Sequence, residues 1–305
     1  MCSSDLTAAA IEIAGVRLTH PDKQLYPEQH VAKRDLALYY QTVAPRMLPH
    51  VGRRLLSIVR CPEGRDEPCF FQRHPIPGSL ESIHRFKRRD KKSEPDYIYV
   101  EDVQGLIALA QMGVLEIHIW GSHVDEVDRP DRMVFDLDPA DDVPFADVKS
   151  AALHLRDVLD AARLKSFPLL SGGKGIHVVV PLKPRHGWDV IKGFSGGLAQ
   201  RLAAEQPERY VATMTKSKRK GRIFIDYLRN DKSATAIAPY SPRARQGAPL
   251  AWPVDWKALP RVGSGHAVTL ANARRRLAAA DPWSAYAKTD QVLESSALKA
   301  LGIDA

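Results

Sequence analysis

The sequence predicts an α+β fold, and three observations lead there. Stretches with apolar residues at helical spacing are interspersed with short apolar or alternating stretches, which are placed too irregularly for a doubly wound parallel sheet. At 305 residues the chain can bury a sizeable core. No clean linker, internal repeat or low-complexity segment divides it, so residues 11–305 are expected to form one domain behind a small, polar tail at residues 1–10. Such a loose tail is expected of a domain cut from a longer chain.

Taken in order, Ile11 to Leu18 alternates apolar and polar residues as a half-buried strand does. Lys33 to Leu48 repeats Leu36, Tyr39, Tyr40, Val43 and Met47 at helical spacing, with Pro49 as the expected stop. Leu55–Val59 and Cys69–Gln72 read as short strands around a loop containing Pro62 and Gly64. Glu101–Met112 suits a helix ended by Gly113, before strands at Val114–Trp120 and Met133–Leu137. A helix is expected from about Pro144, a favourable first-turn residue, to Arg163. Leu169–Leu182 reads as a hairpin turning at Ser171–Gly175, Asp189–Glu205 as a helix and Gly221–Leu228 as a strand. Ala238–Pro260 is rich in proline without periodicity and is expected to wrap as an ordered loop; Leu270–Ala279 is a last helix.

Composition narrows the function classes. No apolar run approaches the ~20 residues of a membrane-spanning helix, and Met1–Ala10 lacks the pattern of a signal peptide. Three cysteines, Cys2, Cys61 and Cys69, suggest no disulfide framework and imply a reducing, intracellular setting. Basic residues outnumber acidic ones 44 to 36, an excess that attracts polyanions such as nucleic acid. They cluster in two runs: Lys87, Arg88, Arg89, Lys91 and Lys92, which solvation alone can explain, and Lys216, Lys218, Arg219, Lys220 and Arg222, which lead into an apolar strand.

Three segments carry chemistry. In Arg132-Met-Val-Phe-Asp-Leu-Asp-Pro139, Asp136 and Asp138 are two apart on a strand and share a face. Side-by-side carboxylates repel, and a hard divalent cation such as Mg²⁺ or Mn²⁺ removes that cost. Turn capping by Asp138 is the alternative. In Ser171-Gly-Gly-Lys-Gly-Ile-His177, Gly172, Gly173 and Gly175 let backbone amides approach an anion, Lys174 adds a charge, and His177 lies within reach. The spacing and the following strand exclude a Walker loop and a dinucleotide fingerprint; a purely conformational turn is the alternative. Asp226 interrupts the apolar strand Gly221–Leu228 and needs a partner, either a cation shared with Asp136 and Asp138 or a salt bridge to Arg222 or Arg229. Two acids, a glycine-lysine turn and a third acid together describe a metal-dependent nucleotidyltransferase.

From about His20 to Trp283 the sequence closely resembles the polymerase domain of bacterial DNA ligase D, in the archaeo-eukaryotic primase superfamily, most specifically in VFDLDP, SGGKGIHVVVPL, RKGRIFIDYLRN and ATAIAPYSPRAR. The resemblance implies a primase-like core of mostly antiparallel or mixed sheets flanked by helices. It implies that Asp136, Asp138 and Asp226 are catalytic and hold two divalent cations, Mn²⁺ or Mg²⁺. His118, Ser171, Gly172, Gly173, Lys174, His177, Arg229 and Arg243 are then expected to contact the nucleotide or its triphosphate. Lys23 and Lys33, assisted by Arg53, match a pocket for a DNA 5′-phosphate. Phe70 and Phe71 match aromatics at the DNA site; strand neighbours face opposite ways, so one ring, Phe71, is expected to stack on a base. Cys61, Cys69, His74 and His84 lack a Cys-x₂₋₄-Cys pair, so no zinc is expected.

The resemblance further implies end-joining repair in a bacterial cytoplasm, at the nucleoid. Ribonucleotides or deoxyribonucleotides are added to a primer 3′-hydroxyl at DNA ends, gaps or overhangs, with Mn²⁺ and ribonucleotides preferred. The implied partners are ligase and nuclease domains of a longer chain and a Ku-like end-binding protein. With no Lys-x-Asp-Gly adenylation motif, ligation by this chain is not expected. A stand-alone primase, a catalytically inactive DNA-end-binding module and a two-metal hydrolase are the alternatives.

Overall fold

The structure, a computed structural model, describes residues 9–75, 77–87 and 96–301. Arg88, Arg89, Lys91 and Lys92 of the first basic run, and most of the amino-terminal tail, lie outside the described residues. The predicted Ile11–Leu18 strand is a hairpin, β1 (Ile11–Ile13) and β2 (Val16–Leu18), because Ala14 and Gly15 both take positive φ and reverse the chain. β3 (Gln24–Tyr26) pairs with β4 (Val31–Ala32) and leads into α1 (Lys33–Val51). This helix passes Pro49, where it was expected to stop: its apolar face continues through the buried His50 and Val51, so packing holds the last turn.

β5 (Arg54–Arg60), β6 (Phe70–Gln72), β7 (His84–Phe86) and β8 (Tyr97–Tyr99) follow. α2 (Val103–Gln111) is capped by Asp102, which accepts from Gly105 N at 2.9 Å, and β9 (Val114–His123) completes the first half. The second half runs β10 (Arg132–Pro139), α3 (Phe145–Ala161), β11 (Phe167–Leu170), β12 (Ile176–Pro181), α4 (Trp188–Glu205), β13 (Tyr210–Val211), β14 (Ile223–Asp226), β15 (Ala236–Ile237), β16 (Trp252–Pro253), α5 (Leu270–Leu277) and α6 (Ser295–Lys299).

Two six-stranded sheets result. One has the order β13-β14-β10-β12-β11-β16; the other runs β15-β9-β5-β8-β7, with β6 on β5. Among the described residues every pairing is antiparallel except β13 with β14, so the expected mixed, mostly antiparallel α+β architecture is the one observed. α3 and α4 pack on the first sheet, while α1 packs against α2 behind the second. One apolar cluster runs through both halves, from Leu36 and Tyr40 of α1 to Phe135 of β10 and Leu198 of α4.

The proline-rich stretch after β15 does wrap, as predicted, and it joins the two sheets. Ser241 Oγ accepts from Ile117 N of β9 at 2.8 Å, and β16 at its far end pairs with β11 of the first sheet. The cysteines depart from expectation. β5 and β6 pair Arg60 with Phe70, so the next positions, Cys61 and Cys69, face each other with Cα atoms 4.3 Å apart and are disulfide-bonded. Composition alone cannot reveal that register. Among the described residues no helix is long and apolar enough to cross a membrane.

Candidate active site

Strand register builds the centre of the site. On β10, Asp136 lies opposite His177 of β12 on one side and opposite Asp226 of β14 on the other, so the three side chains share a face. Asp138, two residues on, joins that face at the more open end of the strand. Each carboxylate has a cationic or imidazole partner. His177 Nε2 is 3.4 Å from Asp136 Oδ1, Arg219 Nη1 donates to Asp138 Oδ2 at 3.0 Å, and Arg229 Nη2 is 2.9 Å from Asp226 Oδ2. The salt bridge weighed for Asp226 therefore exists, with Arg229.

The electrostatics nonetheless remain strained. Burial, then the charges of Asp136 and Asp226, push the Asp138 carboxyl above its usual range against the pull of Arg219. Burial also raises Asp226; Arg229 opposes this, but Asp136 adds to it and the rise prevails. Burial works against the charge of Asp136 too, yet the adjacent His177 outweighs it and holds that carboxyl low.

Hard carboxylate oxygens on one face, two of them disfavoured as anions, suit a divalent cation in kind and in electrostatics. The expected tight convergence is not what the structure has, however. Among the described residues no group of three or more His, Cys, Asp or Glu side chains is gathered to hold an ion. Asp138 and Asp226 are paired instead with Arg219 and Arg229.

The glycine turn lies where β11 passes into β12. Gly172 has φ +68°, and a Cβ there would meet Arg243 Cγ at 2.7 Å; a Cβ on Gly175 would meet the Leu137 carbonyl oxygen at 2.5 Å. Arg243 is thus seated against the turn, and its Nη1 donates to Ser171 O at 2.6 Å. Ser171 Oγ accepts from Gly173 N at 3.2 Å. Lys174 is exposed and pairs with Asp141. His177 is buried, and its Nδ1 has no partner among the described residues.

Across from the turn, β9 of the second sheet presents Glu116 and His118, two residues apart and so on one face. His118 Nε2 lies 2.8 Å from Glu116 Oε2; Glu116 Oε1 is 3.1 Å from Arg243 Nε and accepts from Ala244 N at 2.9 Å. Burial opposes its charge, but the His118 hydrogen bond and the Arg243 charge bring its pKa down to about 2. Burial lowers His118, with Glu116 partly offsetting it, so its ring is neutral at neutral pH. Glu116 and Arg219 were not among the residues expected at the site. A glutamate two positions before His118, inside an otherwise apolar strand, was the available signal for the first.

The DNA-facing residues divide. Lys33 at the start of α1 is buried; its Nζ donates to Thr19 O at 2.8 Å, and burial followed by the charge of Lys23 lowers its pKa. Lys23 Nζ lies 2.6 Å from Glu63. Arg53 does not join them. It sits just beyond the other end of the 19-residue α1, a helix about 28 Å long at 1.5 Å per residue, and pairs with Glu101 and Asp125. Phe70 and Phe71 are both exposed, contrary to a core placement. Phe71 is aligned with Val59 and Glu116 across β6, β5 and β9, and its ring meets His118 edge-on at 6.2 Å. Phe71, not Phe70, therefore shares the face of the site.

Comparison with known proteins gives a consistent result. The family described as LigD, primase-polymerase domain, matches residues 32–283. The multifunctional non-homologous end joining protein LigD of Pseudomonas aeruginosa is 35% identical over 298 residues, covering 97% of this chain and 36% of that protein. Its counterpart from Mycolicibacterium smegmatis is 34% identical, over 79% of this chain and 32% of that protein. This chain thus spans about a third of the length of these relatives. Among solved structures, the polymerase domain of Mycobacterium tuberculosis ligase D in complex with DNA superposes with a TM-score of 0.79 at 32% identity, covering 86% of this chain and 94% of that one.

Proposed function

We propose that this chain, which belongs to the family of LigD primase-polymerase domains, adds nucleotides from nucleoside triphosphates to a primer 3′-hydroxyl at DNA ends and gaps, as the polymerase of an end-joining system. The observation that carries the reading is the β12-β10-β14 register, with Asp136 facing both His177 and Asp226 and Asp138 one step along the same face. That acidic face lies beside a glycine turn that seats an arginine.

Asp136, Asp138 and Asp226 would hold divalent cations, Mn²⁺ or Mg²⁺. When bound, these supply Lewis-acid activation of the hydroxyl and neutralise charge on the leaving pyrophosphate. The chain's own groups do the rest. Arg243 and the backbone amides of Gly172 and Gly173 bind the triphosphate, with Lys174 recruited from Asp141 and Arg229 contributing charge. Ser171 braces the turn that carries those amides. His177 orients Asp136 and offers its unpartnered Nδ1 to the nucleotide; neutral His118 offers a second contact from the facing sheet.

Lys23 and Lys33 together make a cationic pocket suited to a 5′-phosphate, and Phe71 stacks on a base beside the site. Arg53 is left out of that pocket. Preference for Mn²⁺ and ribonucleotides, ligase and nuclease domains elsewhere in a longer chain, a Ku-like partner and a bacterial cytoplasmic setting complete the reading. They rest on the family alone.

The test is primer extension on gapped DNA with labelled nucleotides and Mn²⁺. The expected outcome is elongation that Asp138→Ala abolishes while DNA affinity stays nearly intact. Products made without a primer would favour a primase, shortened primers a hydrolase, and DNA binding without elongation an inactive end-binding module.

A further inference from the structure

One buried carboxylate at the site neither holds a cation nor contacts the triphosphate in the proposed reaction. Glu116 lies in the middle of β9 with its side chain 8% exposed, in a run (Leu115, Ile117, Ile119) that is otherwise core. Burying an acid in such a strand is costly unless each oxygen is occupied. Here both are: Oε2 takes His118, and Oε1 accepts from the Ala244 amide with Arg243 Nε in ion-pair contact at 3.1 Å. Arg243 in turn donates to Ser171 O, and its own carbonyl accepts from Tyr26 Oη at 3.0 Å. A single side chain therefore links β9 of one sheet, the wrap after β15 and, through Arg243, the glycine turn of the other sheet.

We infer that Glu116 is a positioning residue for nucleotide binding, one that fixes the tautomer of His118 and the aim of Arg243 at the same time. The inference rests on the nucleotide-transfer reading of the site. An ionised carboxylate only accepts hydrogen bonds, so the neutral His118 ring must carry its proton on Nε2, which leaves Nδ1 as an acceptor. The hydrogen bond that the structure gives this ring is made at Nε2. The Arg243 guanidinium is hydrogen-bonded at Nη1 to Ser171 O, while the Glu116 carboxylate, 3.1 Å from its Nε, attracts it as an ion-pair partner without a hydrogen bond at that nitrogen, so two elements from different sheets act on it. Holding both groups before the nucleotide arrives removes the entropy of arranging them on binding.

A purely architectural ion pair would tie the sheets together just as well, so the test must read something that architecture does not move. Glu116→Gln keeps the volume and the carbonyl that accepts from Ala244. It cannot accept from a protonated His118 Nε2 and carries no charge for Arg243. Steady-state extension of a gapped DNA primer by the 305-residue chain should show KM for nucleotide raised about 10- to 100-fold, the usual cost of losing an orienting partner, with kcat much less affected and DNA affinity unchanged. In a His118→Ala, Arg243→Ala background the same change should add almost nothing.

An unaltered nucleotide KM in Glu116→Gln, or an equal added loss in the double-variant background, overturns the inference. Should Glu116→Gln fail to fold, the ¹⁵N shifts of His118 in the unsubstituted protein decide the matter: a proton on Nε2 supports the role, and one on Nδ1 refutes it. Absence of any extension by the unsubstituted chain would instead refute nucleotide transfer itself.

Discussion

Replacing Asp226 by asparagine should make the metal-free protein more stable while destroying its activity. Asp226 and Asp136 are directly opposed on neighbouring strands, where paired Cβ atoms stand about 5 Å apart. The two charges lie out on the carboxylates, which do not converge tightly, so at an effective dielectric constant of about 20 they repel by at most about 3 kcal/mol. Arg229 offsets part of this from 2.9 Å, but its side chain is 43% exposed, so water screens the pair to about 1 kcal/mol. Burial of the Asp226 carboxyl then adds to the repulsion, in agreement with its raised pKa.

The net cost of keeping Asp226 ionised is thus up to about 2 kcal/mol before burial is counted, and the neutral amide of the Asp226→Asn variant would recover it, raising the melting temperature by several degrees in EDTA. The sign follows from the raised pKa. The stabilising protonated form is fully present below the unfolded carboxylate value, near ~4, and is lost as pH rises through the folded value. The gap between variant and parent should therefore open between about pH 4 and neutrality and close below it. Adding Mn²⁺ reverses the order. Ligand at about 100 times its dissociation constant stabilises by about 2.7 kcal/mol, and the variant gains less of this. Scanning calorimetry across pH, with and without Mn²⁺, reads every part. A less stable Asp226→Asn protein in EDTA at neutral pH, or a parent indifferent to Mn²⁺, would refute the reasoning.

Lys23→Ala and Lys33→Ala should each weaken binding of gapped DNA bearing a 5′-phosphate by about 10-fold or more, the value of a charge-assisted hydrogen bond, with a smaller effect on ends lacking the phosphate. Equal losses on both DNAs, measured by fluorescence anisotropy, would remove the pocket. Phe71→Ala should cost about 1–3 kcal/mol of DNA binding and Phe70→Ala clearly less, since only Phe71 shares the face of His118; equal losses in the same assay would contradict that placement. A methyl group at Gly175 would stand 2.5 Å from the Leu137 carbonyl, so Gly175→Ala should destabilise by about 1–3 kcal/mol and depress nucleotide addition together. Chemical denaturation with parallel extension assays checks both, and a fully active, equally stable variant would show that the turn can move aside.

Local pattern made much of this protein legible. The apolar runs before and after the Ser171–Gly175 turn marked β11 and β12 as a hairpin, and the helical spacing from Leu36 to Met47 marked α1, because turn residues and side-chain periodicity follow directly from local structure and burial. Strands of two or three residues such as β4, β13 and β15 hold no full period, so nothing in their composition distinguishes them from loop. Likewise the motifs around Asp136, Lys174 and Asp226 suggested the phosphate-handling site proposed for them, since residue type and spacing alone limit which ions and anions a segment can hold.

Position along the chain, by contrast, says nothing about which strand lies beside which. Asp226 meets Asp136 across ninety residues only because β14 settles on β10 in one register, and a slip of one residue would turn its carboxylate to the opposite face. Long-range packing likewise turned Glu116 toward Arg243, while the β5–β6 register, no more legible in composition, set Cys61 against Cys69. Chemistry of the parts is carried in short segments, whereas their meeting depends on core packing that sums over the whole molecule.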